Sequence, residues 1–342
     1  MTPERAIARL VGGGSLAEDE MAAVMTTLLD GRLTPAQLGG LAVGLRMKGE
    51  SVDELTGAAR TLRAHMTRVP DVPASAIDTC GTGGDGASTL NVSTAAALVV
   101  AAAGVPVAKH GNRAASGTIG GADVVEALGV RLVLAPAAAS ACLRETGFVF
   151  LFAPAFHPAL RYAAAPRREL GVRTFFNLLG PLANPAGVRR QVLGVAERRW
   201  VEPLAQVLQR LGVERAWVVH GSVGLDELAL EGSSVVADVT ADAVRIRQVE
   251  ASDVGLAPAP VSALRVASSD DAVARIRGVL AGERGPARDV VCLNAAAALV
   301  VADAAADLPA GIARAAAVID GGAAQALLAR LVAFTASCEG AA

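Results

Sequence analysis

From about residue 76 onward, short apolar runs alternate with alanine-rich stretches of helical character, and this alternation limits the fold more than any other feature of the chain. The runs "AIDTC", "VPVAKH", "RLVL", "RAWVVH" and "SVVADVT" are each strand-length, and the stretches between them are long enough to cross back over a sheet. That pattern predicts an α/β domain with a largely parallel central sheet. The first seventy residues follow another rule. Three S/T-x-x-E/Q boxes open helices in succession, Ser15 with Glu18, Thr34 with Gln37, and Ser51 with Glu54, while Gly31 and Gly49 stand where helices should stop. Four short helices are expected there. The proline-broken stretch "TRVPDVPASA" separates the two regimes, which gives a small helical domain over 1–70 and a larger α/β domain over 71–342. The basic, helix-prone segment 157–187 interrupts the alternation, so part of 160–187 is expected to pack back on the helical unit as a hinge.

Composition excludes several classes of function. Of the 342 residues 53% are hydrophobic, but alanine and valine make the excess, and the longest apolar stretch, Thr94 to Ala108, is broken by Gly104 and Pro106 before it could span a bilayer. The charged start "MTPERAIARL" lacks the apolar centre of a signal peptide, so a cytoplasmic enzyme is expected. A net charge of −2 does not suit a chain that lives on nucleic acid, where phosphate neutralisation supplies the affinity. Cys80, Cys142, Cys292 and Cys338 show neither zinc-site nor disulfide spacing. Lys48 and Lys109 are the only lysines among 31 basic residues, which marks both positions.

Three loops carry candidate chemistry. "GTGGDG", Gly81 to Gly86, follows a strand and precedes a helix starting near Asn91, an arrangement that points several backbone N–H groups and a helix dipole at one anion. A glycine cluster alone is often an ordinary turn. Asp85 and the hydroxyl-rich "STLNVST" favour a phosphate or pyrophosphate, with Gly84 left bare so that the ligand can touch the backbone. "VAKHGNRAASGTIGGAD" ends the next strand, so it should neighbour the glycine loop at the carboxyl edge of the sheet and bring Lys109 to the same anion. In "VVHGSVGLDELAL" the adjacent Asp226 and Glu227 can both reach a hard cation only from a loop. Facing a phosphate loop, such a pair suits magnesium.

Seven blocks in order, "GTGGDGASTLNVSTAAA", "KHGNRAASG", "ADVVEALG", "FLFAPAFHPAL", "GVRTFFNLLGPLANP", "HGSVGLDEL" and "LNAAAAL", resemble the anthranilate phosphoribosyltransferases of tryptophan synthesis, over about Glu4 to Phe334. The resemblance implies the nucleoside phosphorylase/phosphoribosyltransferase-type fold, a small helical domain hinged to a larger α/β domain, and a homodimer joined through the helical domain. It implies phosphoribosyl pyrophosphate on Gly81, Gly84, Asp85, Thr89, Asn91, Val92, Ser93, Thr94, Lys109, His110, Gly111, Asn112, Arg113, Ala114, Ala115, Ser116, Gly117 and Gly121. Anthranilate falls on Gly81, Asn112 and Arg167, and magnesium on Ser93, Asp226 and Glu227. Lys109, Asp226 and Glu227 are the expected catalytic residues, stabilising the departing pyrophosphate. Leu90, Ile119, Arg161 and Val223 depart from the family's usual residues without removing a matched contact. Two rivals share the fold: a pyrimidine nucleoside phosphorylase, disfavoured by "KHGNR" and "GLDEL", and a non-catalytic nucleic-acid-binding relative, disfavoured by the retained acidic pair.

Overall fold

A computed structural model describes residues 1–114 and 119–338. The helical start follows from its caps. Helices α1 (Pro3–Val11), α2 (Glu18–Leu29), α3 (Pro35–Lys48) and α4 (Val52–His65) match the four expected, and the Thr34–Gln37 and Ser51–Glu54 boxes both form. The third box does not. Helix α2 begins after Ala17, and the carboxylate that turns back to the Ala17 N–H is Glu20, at 3.0 Å. Glu54 does more than cap, because its buried carboxylate also accepts the Leu16 N–H at 2.9 Å and pairs with Lys48 at 3.0 Å. One side chain thereby ties the starts of α2 and α4 to the end of α3.

The remaining chain builds a seven-stranded sheet in the order β3-β2-β1-β4-β5-β6-β7. Its strands are β1 (Ile77–Gly81), β2 (Val107–Gly111), β3 (Phe148–Phe152), β4 (Arg190–Gly194), β5 (Arg215–His220), β6 (Ser233–Thr240) and β7 (Val244–Glu250). The first five are parallel and the last two antiparallel, so the sheet is mostly parallel as the alternation predicts. "RLVL" is not a strand. Leu132 and Leu134 are buried, but this stretch pairs with no strand, and the Arg131 N–H is satisfied by the Thr335 hydroxyl at 3.2 Å instead.

Side chains along β4 and β5 alternate between two cores, as a pleated strand requires. Val192, Trp217 and Val219 face one core, into which α5 (Val92–Ala102) and the helix Pro286–Val301 pack. Leu193, Ala216 and Val218 face the other, which continues without a break into α1–α4 and Phe175, Phe176 and Trp200. The helical unit thus rests on one face of the sheet. The helix Arg161–Leu170 joins it: a Cβ on Gly31 would lie 2.7 Å from the Tyr162 ring, so α2 and this helix approach closely only because residue 31 is bare. The segment Phe176–Ala186 is held on the sheet by polar bonds: Asn184 donates to Asp78 and to the Ala108 carbonyl, each at 2.8 Å, and Gln191 donates to the Pro181 carbonyl at 2.7 Å.

Candidate active site

Strand β1 pairs with β2 on one side and with β4 on the other, so the chain reverses its direction of winding at β1 and opens a crevice at the carboxyl ends. Gly81 and Gly194 end β1 and β4 side by side there. Neither can carry a side chain. A Cβ on Gly81 would overlap the Asp226 carboxylate, and one on Gly194 would overlap the Asp226 carbonyl oxygen, so this glycine pair seats the acidic loop. Asp226 in turn accepts the Gly83 N–H at 2.8 Å and holds the glycine-rich loop from β5's side. Positive φ at Gly83, Gly84 and Gly86 gives that loop its shape.

A cleft of about 360 Å³ opens over this edge. All the described residues expected to touch substrates or metal line it, from Gly81 to Glu227, with the exception of Val92, whose side chain is wholly in the core at the first turn of α5. Ala115, Ser116 and Gly117 lie outside the described residues. At the α5 N-terminus the Asn91 Oδ1 and Thr94 Oγ1 atoms are buried without a hydrogen-bond partner among the described residues. Gly121 stands opposite Thr94, and Gly111 is bare because a Cβ would come within 2.6 Å of the Phe150 ring. The Asn112 Oδ1 atom accepts the Arg113 N–H at 2.8 Å, and the Arg113 guanidinium is engaged by Asp123 and Glu126 at 2.7 and 2.8 Å.

Lys109 is buried. Its ammonium donates to the Thr79 carbonyl and, at 3.2 Å, to the Ser93 hydroxyl, while burial pulls its pKa below the ordinary lysine value against the opposing charge of Asp78. Beside it Asp85, Asp226 and Glu227 converge, each offering an oxygen within 4.8 Å of the others. Burial, and then the Asp226 charge, push Asp85 up to about 6, and burial with the same charge holds Glu227 well above the usual carboxylate range. Three carboxylates gathered this closely, with burial opposing the ionisation of Asp85 and Glu227, are a donor set for a hard cation. Asp85, which sequence reasoning gave to the donor, thus joins the acidic pair. Arg167 also lines the cleft and is half-buried, its guanidinium 4.9 Å from the Phe176 ring centre, with no ion pair among the described residues.

Residues 73–325 match the family described as glycosyl transferase family, a/b domain, and residues 4–66 match its helical bundle domain. An anthranilate phosphoribosyltransferase of Rhodopseudomonas palustris is 51% identical over 331 residues, covering 97% of this chain and 98% of that protein. The chain belongs to the anthranilate phosphoribosyltransferase family. The family's Thermus thermophilus crystal structure superposes with a TM-score of 0.92 at 44% identity, over 97% of this chain and 99% of that one. The Saccharomyces cerevisiae member, in complex with phosphoribosyl pyrophosphate and Mg, gives 0.89 at 25% identity, over 98% of each chain.

Within this member of the anthranilate phosphoribosyltransferase family, the structure adds residues to which the sequence assigned no role. Asn294, in the "LNAAAAL" block, accepts the Leu228 N–H and donates to the Leu228 carbonyl, both at 2.9 Å, directly behind Glu227. Arg173, in the "GVRT" block, lies against the glycine-rich loop. Both blocks belong to the resemblance, but nothing local to either sequence says which loop it meets.

Proposed function

We propose that the protein transfers the phosphoribosyl group of 5-phosphoribosyl 1-pyrophosphate to the amine of anthranilate, giving N-(5-phosphoribosyl)anthranilate and pyrophosphate. The observation that carries this reading is the meeting of two unlike subsites in one cleft, which is lined both by a glycine loop with three carboxylates and by the half-buried Arg167 guanidinium. The donor's pyrophosphate meets the loop N–H groups and the α5 N-terminus, where Ser93, Asn91 and Thr94 supply further polar atoms. Asp226 and Glu227, with Ser93 and Asp85 beside them, would hold magnesium, which supplies positive charge to the pyrophosphate oxygens. Lys109 keeps a positive charge under the same oxygens, and these fixed charges act where negative charge grows as the C1–O bond loosens. Arg167 orients the acceptor through its carboxylate, so the amine arrives positioned rather than strongly activated. Packing of the helical unit over the sheet edge keeps water from the donor.

The same reading places the protein in the cytoplasm, as a homodimer joined through the helical unit. Val11 and Met47, 78% and 83% exposed on α1 and α3, are apolar side chains that a second copy would cover.

Loss of anthranilate fluorescence on adding donor and magnesium tests the activity. Turnover should stop when the metal is chelated, and Arg167→Ala should raise the anthranilate KM about 30-fold, the equivalent of ~2 kcal/mol for a charge-assisted pair, with donor affinity by calorimetry unchanged. Undiminished turnover under chelation, or an equal loss for both substrates in the variant, would refute these assignments.

A further inference from the structure

The side chain that comes closest to Gly84 is that of Arg173. A Cβ built on Gly84 would overlap Nη1 of that guanidinium, and Nη2 donates to the Thr82 carbonyl at 3.0 Å. The guanidinium therefore spans the loop between Thr82 and Gly84, over the residue whose N–H is held from the other side by Asp226. No carboxylate pairs with Arg173 among the described residues, although Asp85, Asp226 and Glu197 all lie near enough to favour its charge. It also lines a small cavity shared with Arg46 of α3, Glu50 just beyond that helix, and Glu197. Both carboxylate oxygens of Glu50 are buried there without a hydrogen-bond partner among the described residues.

We propose that Arg173 is a positioning residue for the phosphoribosyl donor: it braces the glycine-rich loop in the shape that presents its N–H groups to the pyrophosphate, and Gly84 lacks a side chain in order to seat that brace. A planar guanidinium suits the task because it can lie flat on backbone while one edge donates to a carbonyl, which an ammonium cannot do. Glu50 and Arg46 line the cavity next to the brace, which brings the helical unit beside the loop it shapes. The inference rests on the donor assigned above, and its test separates the two.

Hydrogen exchange of the loop amides 82–87 in the unliganded protein reads the brace without reference to activity. Arg173→Ala should accelerate exchange there by at least tenfold, and Arg173→Lys should do so partly, with the midpoint of thermal unfolding little changed in the lysine variant. With substrates, Arg173→Ala should raise the donor KM by tenfold or more and the anthranilate KM less than twofold. Gly84→Ala completes a double-mutant cycle. The strain of a side chain at a φ of +77° is common to both backgrounds, so if the brace fills the space, Gly84→Ala should raise the donor KM at least fivefold more in the wild type than in Arg173→Ala. Unchanged exchange in both Arg173 variants, or an equal effect of Gly84→Ala in the two backgrounds, overturns the proposal. A wild-type protein that fails to consume anthranilate with donor and magnesium refutes the assigned reaction and leaves the exchange result to decide the brace.

Discussion

His110 and His157 lie with their rings tilted and 5.1 Å apart at the cleft, and burial keeps both neutral. The His110 Nδ1 atom bonds the Gly180 carbonyl at 2.9 Å, whereas its Nε2 and both ring nitrogens of His157 have no well-formed partner among the described residues. Desolvation lowers His110 to about 3 and His157 to about 4, below the 6.5 of a free imidazole. A folded-state pKa below the unfolded one means that the unfolded chain takes up protons first as the pH drops. The stability from a neutral His157 is therefore complete above pH ~6.5 and is lost between there and pH ~4, by up to about 3 kcal/mol. Thermal unfolding followed from pH 7.5 to 4.5 should show this slope added to that of His110, and His157→Phe should reduce the total by about half. An equally steep slope in the variant would place the acid sensitivity elsewhere. The two lysines tell a related story at single-residue scale: both are buried against an acidic partner, Lys48 against Glu54 and Lys109 near Asp78.

At the scale of elements, the acidic loop after β5 is held from two directions. Glycines at the ends of β1 and β4 admit it from the sheet, and the helix Pro286–Val301 fixes it from behind through Asn294. That helix packs closely on α5, which small side chains on both helices permit, so the glycine-rich loop before α5 and the acidic loop are registered by one pair of helices. Asn294→Ala removes both bonds and leaves the Leu228 N–H and carbonyl buried without partners, which should cost about 1–3 kcal/mol of stability. It should also raise the magnesium concentration for half-maximal rate severalfold while the anthranilate KM holds. An unchanged magnesium requirement would show that the loop keeps its shape without the asparagine.

For the whole molecule, the sheet has two different faces. One is sealed by helices of the same α/β domain, and the other is covered partly by the helical unit, whose core runs continuously into that face. The Arg161–Leu170 helix carries Tyr162 against Gly31 and Arg167 to the cleft, so one helix links the helical unit to the cleft lining. Leucines and methionines inside this unit are buried, yet Met47 on its outer surface is 83% exposed. Met47→Glu should leave each chain folded and shift the mass measured by sedimentation at micromolar concentration from dimer to monomer. A wild-type monomer would refute the homodimer, and a variant dimer of unchanged affinity would move the interface off α3.

What the sequence by itself determined is what neighbours in the chain can encode. The Thr34 and Ser51 boxes, the alternation that makes β1, β2, β5 and β6, and the glycine-rich turn before α5 all depend on residues within a few positions of one another. Local pattern also failed where context overrode it. "RLVL" has a strand's composition but no strand edge to pair with, Ser15 lost its helix start to the Glu20 carboxylate, and β7, with arginines on most of an exposed face, does not look apolar enough to be a strand. Only the tertiary structure decided what fills the spaces that glycine leaves. Gly81 is bare for Asp226 and Gly84 for Arg173, pairs far apart in sequence, and their contact follows from strand order and register rather than from any local signal. The same holds for Asp85 joining Asp226 and Glu227: carboxylates that repel one another are brought within 4.8 Å because the cores on both faces of the sheet fix the loops that carry them.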